Sequence, residues 1–231
     1  MASLRELALL AERVYDTPTT SVDGWTCVNA LSAAGPIMGG LQAATFTKNG
    51  ETVIAFRGTA AGQDVLADVK LGCGMNSTYF AAAESYVANY TDLERTTLCG
   101  HSLGGAITQI VANRRGYKFA TFNAPGVAVF ASRNVGSLFG PLTGVRIAGS
   151  LASVVRHPMQ AWSDVRSTFN RVTGVNVCLG ADVVSQIGVH YGNVIRVPGP
   201  TYNPLTAHGI GTVREVLASN AIGALGVAEL G

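Results

Sequence analysis

One stretch of the chain, residues 96–105 with the sequence TTLCGHSLGG, decides the fold. Thr96 to Cys99 form a short β-rich run, and residues 104–114 have the composition of a helix. Ser102 lies between them in a Gly-x-Ser-x-Gly pattern, in which small residues allow a strained strand-to-helix turn to pass close to its neighbours. The stretch therefore predicts a strand, a sharp turn that presents a serine, and a helix.

The segments around this stretch continue the alternation of strands and helices. Residues 41–47 and 51–57 are β-rich runs joined by an Asn-Gly turn, which predicts a β-hairpin. Further strands are predicted at 118–122, 175–179 and 193–197, and helices at 3–15, 78–90, 104–114 and 208–219. This alternation indicates an α/β fold with a mostly parallel central sheet flanked by helices.

Residues 126–174 are rich in Gly, Ser, Ala and Val and fit this pattern less well. They predict an inserted helical segment, with two helices near 145–155 and 160–172. Because the chain has 231 residues and no recognisable linker, we expect residues 1–231 to form a single domain.

The charge balance bears on partners and on location. Sixteen Lys and Arg against 14 Asp and Glu give a net charge of +2, too small for the positive field that binds nucleic acid. Charged side chains interrupt the apolar residues near the N-terminus, so no signal peptide is predicted, and no stretch has the length of a transmembrane helix. We therefore expect a cytoplasmic protein or one exported by a non-classical route.

The cysteines give no sign of a metal or redox centre. Cys27, Cys73, Cys99 and Cys178 are widely spaced and include no Cys-x-x-Cys pair. This spacing does not suggest a zinc site or a redox dithiol. The serine chemistry considered next needs neither a metal nor an organic cofactor, and we expect none.

A serine nucleophile needs a base that removes its proton and a carboxylate that orients the base. The Gly-x-Ser-x-Gly stretch resembles the nucleophile turn of α/β-hydrolases, and this resemblance implies that the acid and then the histidine follow the serine in the chain. Asp164 and Asp182 are the aspartates after Ser102. Asp182 follows a predicted strand, where loops deliver catalytic groups, whereas Asp164 lies in a predicted helix, so Asp182 is preferred.

Three histidines follow Ser102. His157 precedes Asp182 and breaks the expected order, and His190 lies so soon after Asp182 that a structural role is the better interpretation. His208 begins the last predicted helix and is the preferred base. His101, beside the serine, is expected to point away from it into the packing.

Two motifs resemble those of the class 3 lipases: residues 100–105 (GHSLGG), and residues 56–59 (FRGT) followed by Asp68-Val69. Residues 121–126 (TFNAPG) are similar to the family segment ahead of the acidic residue. The resemblance implies an α/β-hydrolase fold, a base at His208, and an oxyanion hole formed by Thr59 and Leu103. Residues 60–66 occupy the position of the family's lid but have little bulk. For Arg57 and Asp68 we prefer a structural role, holding the oxyanion loop, over the alternative of a solvated face.

The resemblance implies a lipase or esterase that cleaves a lipid or other small carboxylic ester through an acyl-enzyme. A phospholipase, including one delivered as an effector, is an alternative, as is a thioesterase or peptidase on the same fold. A catalytically silent lipid-binding module is the alternative of another class. The 126–174 segment either makes peripheral contact with a lipid surface or forms a packed layer of the core, and the sequence leaves both alternatives open.

Overall fold

The computed structural model describes residues 1–16, 19–32, 40–58, 77–127, 173–200 and 203–231. The expected helices near 145–155 and 160–172, the lid segment and Asp68 lie outside the described residues, as do Thr59, His157 and Asp164. Within the described ranges, no helix has both the length and the apolar character needed to cross a bilayer.

Seven strands and six α-helices are named here in chain order, as far as the structure describes the chain. They are α1 (Leu4–Arg13), β1 (Thr26–Ser32), β2 (Gln42–Lys48), β3 (Glu51–Phe56), α2 (Ser77–Val87), β4 (Thr96–His101), α3 (Leu103–Arg115), β5 (Lys118–Phe122), β6 (Gly174–Leu179), β7 (Asn193–Val197), α4 (Pro204–His208), α5 (Ile210–Ser219) and α6 (Val227–Leu230). Short 3₁₀ turns lie at Val184–Gln186 and Ala221–Ala224.

The strands form one seven-stranded sheet in the order β1 to β7. β1, β2 and β3 are antiparallel neighbours, whereas every pairing from β3 to β7 is parallel. The predicted α/β fold with a mostly parallel central sheet is confirmed. The predicted hairpin is also confirmed, because Asn49 and Gly50 adopt φ 51° and 77° between β2 and β3.

Strand β1 was missing from the sequence prediction. Its sequence, TCVNALS, mixes polar and apolar residues without strict alternation. Its pairing with β2 is irregular between Cys27 and Asn29. Pairing with a neighbouring strand, rather than its own sequence pattern, makes this segment a strand.

Helices cover both faces of the sheet, because alternate residues of each strand point to opposite faces. In β3, Ile54 and Phe56 belong to the core cluster that also includes residues of α2 and α3. Val53 and Ala55 belong to the second cluster, which includes residues of α1, α5 and α6. The carboxyl ends of β4, β5 and β6 therefore emerge between two layers of helix.

The first helix begins at a well-defined cap. The Ser3 hydroxyl accepts from the Glu6 backbone N–H, and the Glu6 carboxylate accepts from the Ser3 N–H, which satisfies two donors at the helix start. Arg5 donates from Nε to the Leu217 carbonyl at 2.7 Å, so the first helix is tied to α5 near the other end of the chain.

The predicted helix 208–219 was wrong at its start. Asn203 caps a short helix, α4, whose first residue is Pro204, and His208 is its last residue. Gly209 is extended, with φ −59° and ψ 138°, and α5 begins after it. His208 therefore lies at the C-terminal end of a short helix rather than at the start of a long one.

Candidate active site

Ser102 lies at the sharp turn between β4 and α3. Its backbone has φ 56° and ψ −127°, a conformation that costs a non-glycine residue about 1–3 kcal/mol and persists only where the surroundings enforce it. Part of that enforcement is the hydrogen bond from the Ser102 N–H to the Phe122 carbonyl, at 3.1 Å. The predicted strand, turn and helix are therefore observed, and the turn holds the serine in a strained conformation.

The glycines of the motif are needed because backbone segments meet at this turn. A Cβ added at Gly100 would lie 2.5 Å from both the carbonyl carbon and oxygen of Gly104. A Cβ at Gly104 would collide with the backbone of Phe56. The first turn of α3 thus packs directly on β4 and on the end of β3, which fixes where Ser102 is presented.

The structure brings the three sequence-predicted side chains together. His208 Nε2 lies 2.9 Å from Ser102 Oγ, and His208 Nδ1 lies 2.9 Å from Asp182 Oδ1. The hydrogen bonds join residues 106 and 26 positions apart in the chain. All three residues are buried.

Asp182 is held as a carboxylate by the turn that follows β6. Its Oδ1 accepts from the Val184 N–H at 3.1 Å and its Oδ2 from the Ser185 N–H at 2.9 Å. Burial acts to raise the pKa of Asp182, but the hydrogen bonds from His208 and Ser185 outweigh it and leave that pKa below its usual value.

The partners of His208 define its tautomer. A carboxylate can only accept, so His208 carries its proton on Nδ1, toward Asp182. The lone pair of Nε2 then faces the Ser102 hydroxyl, which is the arrangement that allows proton transfer from serine to histidine.

The expected oxyanion hole is described in part. Leu103 is the first residue of α3, so its N–H has no acceptor within the helix and lies at the positive end of the helix dipole. Thr59 lies outside the described residues. Gly58, the residue before Thr59, is described. A Cβ added at Gly58 would lie 3.2 Å from the Cβ of Ser102, so the segment leading to Thr59 passes beside the serine.

His101 points away from Ser102 into the packing, as expected. Its Nδ1 lies 3.0 Å from Tyr15 Oη, and its Nε2 lies 2.7 Å from the His208 carbonyl oxygen. Burial, and then the neighbouring His208, lower the pKa of His101 to about 3. His101 is therefore neutral at ordinary pH.

Sequence reasoning missed the roles of Tyr15 and Asn123. Tyr15 Oη accepts from the Gly58 N–H at 3.1 Å, and the Arg57 guanidinium lies 5.3 Å from the centre of its ring. Asn123 donates to the carbonyls of α4. The signal for Asn123 was a polar residue directly after a buried strand, whereas nothing near Tyr15 in the sequence pointed to this site.

The remaining described candidates have structural contacts. His190 Nε2 lies 2.9 Å from the Ala124 carbonyl, in agreement with the structural role expected for it. Among the residues that the structure describes, no group of three or more His, Cys, Asp or Glu side chains is arranged to hold a metal ion.

Comparisons with known proteins point to lipolytic enzymes. The chain is 29% identical to an extracellular phospholipase A1 of Serratia liquefaciens over 143 residues, which are 56% of this chain and 44% of that protein. The chain thus spans under half the length of this relative.

Two solved lipase structures are similar at low identity. A triacylglycerol lipase from Penicillium expansum is 16% identical with a TM-score of 0.48, over 85% of this chain and 78% of that one. A Rhizomucor miehei lipase in complex with its propeptide is 15% identical with a TM-score of 0.45, over 77% and 60%.

A sequence model of the Tle-like phospholipase domain, within the phospholipase-like group, matches residues 6–139. The match extends over more than half of the chain and includes Ser102 with the strand and helix on either side of it. The expected relation to lipolytic hydrolases is confirmed, and the chain belongs to the Tle-like phospholipase domain family.

Proposed function

We propose that this chain is a serine-dependent hydrolase of lipid esters, with Ser102, His208 and Asp182 as its catalytic triad. One observation carries the proposal: two hydrogen bonds of 2.9 Å link a buried carboxylate, a histidine and a serine held at a strained strand-to-helix turn. The strain and the burial each cost free energy, and a purely structural role would require neither.

In the acylation step, Ser102 Oγ attacks the ester carbonyl carbon while His208 Nε2 takes the hydroxyl proton. The imidazolium that forms is stabilised by the Asp182 carboxylate. Charge that develops on the carbonyl oxygen is stabilised by the Leu103 N–H and by Thr59, which we propose as the two sides of the oxyanion hole.

The tetrahedral intermediate then collapses, and the bond to the leaving alkoxide breaks as His208 donates its proton to that oxygen. The alcohol departs and leaves an acyl-enzyme on Ser102. In the second half, His208 takes a proton from water, the resulting hydroxide attacks the acyl carbon, and the fatty acid leaves as Ser102 regains its proton. None of these steps requires a metal or an organic cofactor.

We propose a phospholipid as the ester substrate. The support comes from the family match and from the Serratia liquefaciens relative, whose name gives it phospholipase A1 activity. A triacylglycerol and a simpler ester are the competing substrates. Because such substrates sit at a lipid surface, we expect peripheral contact with that surface.

We also propose that residues 1–231 form one domain. Support comes from contacts between the two ends of the chain. Ser3 and Gly226 form an antiparallel bridge, and the Leu4 N–H donates to the Leu225 carbonyl at 2.8 Å. The first helix and the C-terminal segment thus belong to one packed layer.

The test is hydrolysis of p-nitrophenyl esters from acetate to palmitate, beside phosphatidylcholine vesicles, by the wild type and by Ser102→Ala. We expect the wild type to cleave vesicle phospholipid and Ser102→Ala to be inactive. A fluorophosphonate probe should label the wild type and not the variant, because only an activated serine reacts. Equal background rates for both proteins, with no labelling, would contradict the enzyme proposal and favour a catalytically silent fold.

A further inference from the structure

The backbone carbonyl of His208 accepts hydrogen bonds from two buried side chains. His101 Nε2 lies 2.7 Å from that oxygen and Asn123 Nδ2 lies 3.2 Å from it. His101 ends β4 and Asn123 follows β5, so both donors come from the carboxyl edge of the sheet. Two side chains at this edge of the sheet therefore bind the main chain of His208, the proposed base. They do not bind the imidazole nitrogen that would take the proton.

The proton positions along this contact follow from the chemistry of the groups. A carbonyl only accepts, so the proton of neutral His101 is on Nε2 and its Nδ1 is an acceptor. Tyr15 must then donate its hydroxyl proton to Nδ1, and the Tyr15 oxygen accepts from the Gly58 N–H. One directed chain of hydrogen bonds thus runs from the segment leading to Thr59 to the backbone of His208.

Asn123 links the element that carries the acid to the element that carries the base. Its Oδ1 accepts from the Leu179 N–H at 2.9 Å, at the end of β6 just before the Asp182 turn. Its Nδ2 donates to the Ala207 carbonyl at 2.7 Å as well as to that of His208. Asn123 is fully buried and has φ 46°, which asparagine tolerates better than most residues.

The helix that carries His208 needs such contacts. It is only five residues long, and a helix of that length has no stability of its own in water. Gly209 interrupts the backbone directly after it. Its position relative to Asp182 and Ser102 is therefore set by tertiary hydrogen bonds rather than by the helix.

We propose that Asn123 and His101 are positioning residues that fix the proposed base between the acid and the nucleophile. In this proposal neither side chain touches a reacting atom. Both act through the His208 carbonyl, and Tyr15 orients His101. This inference rests on the proposed function of Ser102, His208 and Asp182.

Asn123→Gly is the direct test, because glycine accepts the positive φ while the carboxamide is lost. We expect kcat to fall on the order of 10²-fold with KM unchanged, since a shift of about 1 Å in a catalytic group has that effect. The fluorophosphonate labelling rate should fall in parallel.

Thr121→Val is the matched control. It removes a buried hydrogen bond from β5, the strand just before Asn123, between Thr121 Oγ1 and Asn176 Oδ1 at 2.6 Å, and leaves the hydrogen bonds to His208 in place. We expect Thr121→Val to lose thermal stability and keep the wild-type kcat. If kcat falls equally in both variants, or stays at the wild-type value in Asn123→Gly, the positioning role is wrong.

A second pair of variants tests the same carbonyl without changing Asn123, and so decides the question if Asn123→Gly yields no folded protein. Glutamine at position 101 can donate near the place of Nε2, whereas methionine has similar length but no donor. We expect His101→Gln to keep a kcat at least roughly tenfold above that of His101→Met. Equal kcat values would mean that His101 acts through packing alone.

Failure of the proposed function and failure of the positioning role alone give different kinetic results. If the proposed function is wrong, the wild type and Ser102→Ala have the same background rate. If only the positioning role is wrong, Ser102→Ala is inactive while Asn123→Gly and His101→Met keep the wild-type kcat.

Discussion

Replacing Gly100 by alanine adds one methyl group where two backbone segments meet. The new Cβ would lie 2.5 Å from the carbonyl carbon and oxygen of Gly104 and 2.8 Å from the Gly105 nitrogen. Ordinary carbon-to-oxygen contacts start at about 3.3 Å. The first turn of α3 must therefore move by roughly 0.8 Å away from β4, because backbone atoms cannot rotate aside as a side chain can.

That displacement should lower both the stability of the protein and its kcat. Overpacking a rigid site costs about 1–3 kcal/mol, and the upper end applies because the contacted atoms are main chain. For a chain of this size, about 3 kcal/mol corresponds to a fall in Tm of roughly 6–12 °C. Ser102 begins the turn that must move, and a shift near 1 Å in a catalytic group lowers kcat on the order of 10²-fold.

The assay is thermal unfolding together with ester hydrolysis at a temperature where Gly100→Ala is fully folded. Gly180→Ala is the control, since its Cβ would meet nothing closer than the Val197 carbonyl oxygen at 3.9 Å. Gly180 also lies in the turn that leads to Asp182, so the control alters another segment of the same site. A Gly100→Ala protein with the stability and kcat of Gly180→Ala would refute the steric argument.

Two further predictions concern carboxylates. Asp182→Asn should lower kcat by about 10⁴-fold with little loss of structure, because an amide favours the wrong tautomer of His208; steady-state kinetics measure this, and a fall of under about tenfold would contradict the triad. Burial acts to raise the pKa of Glu6, but hydrogen bonds from Lys48, Ser3 and Trp25 lower it from 4.5 to about 2. A lowered pKa stabilises the folded state above pH 4.5, and this stabilisation is lost as the pH falls toward 2. Denaturant unfolding across that pH range should show a shallower fall in the free energy of unfolding for Glu6→Gln than for the wild type. If the free energy of unfolding depends on pH in the same way in both proteins, Glu6 is not a source of the acid sensitivity.

The elements that the sequence predicted well are those with a strong local pattern. The hairpin at Asn49-Gly50, the strand and helix around Ser102, and the strands at 118–122, 175–179 and 193–197 were each expected from their own residues. β1 was missed because its residues become a strand only by pairing with β2. The start of the last helix was misplaced because the cap at Asn203 competes with the apolar pattern that begins after it.

The sequence by itself predicted the α/β class and the sharp turn at Ser102. Chain order, the position of Asp182 after a predicted strand and the family resemblance together led to the choice of Asp182 and His208. Only the tertiary structure brings Tyr15, His101 and Asn123 into one hydrogen-bonded network with the backbone of α4, because their hydrogen bonds join residues 84 to 107 positions apart. Such contacts form when parallel strands bring their carboxyl ends to one edge of a sheet, and no local pattern of residues encodes which side chains will meet there.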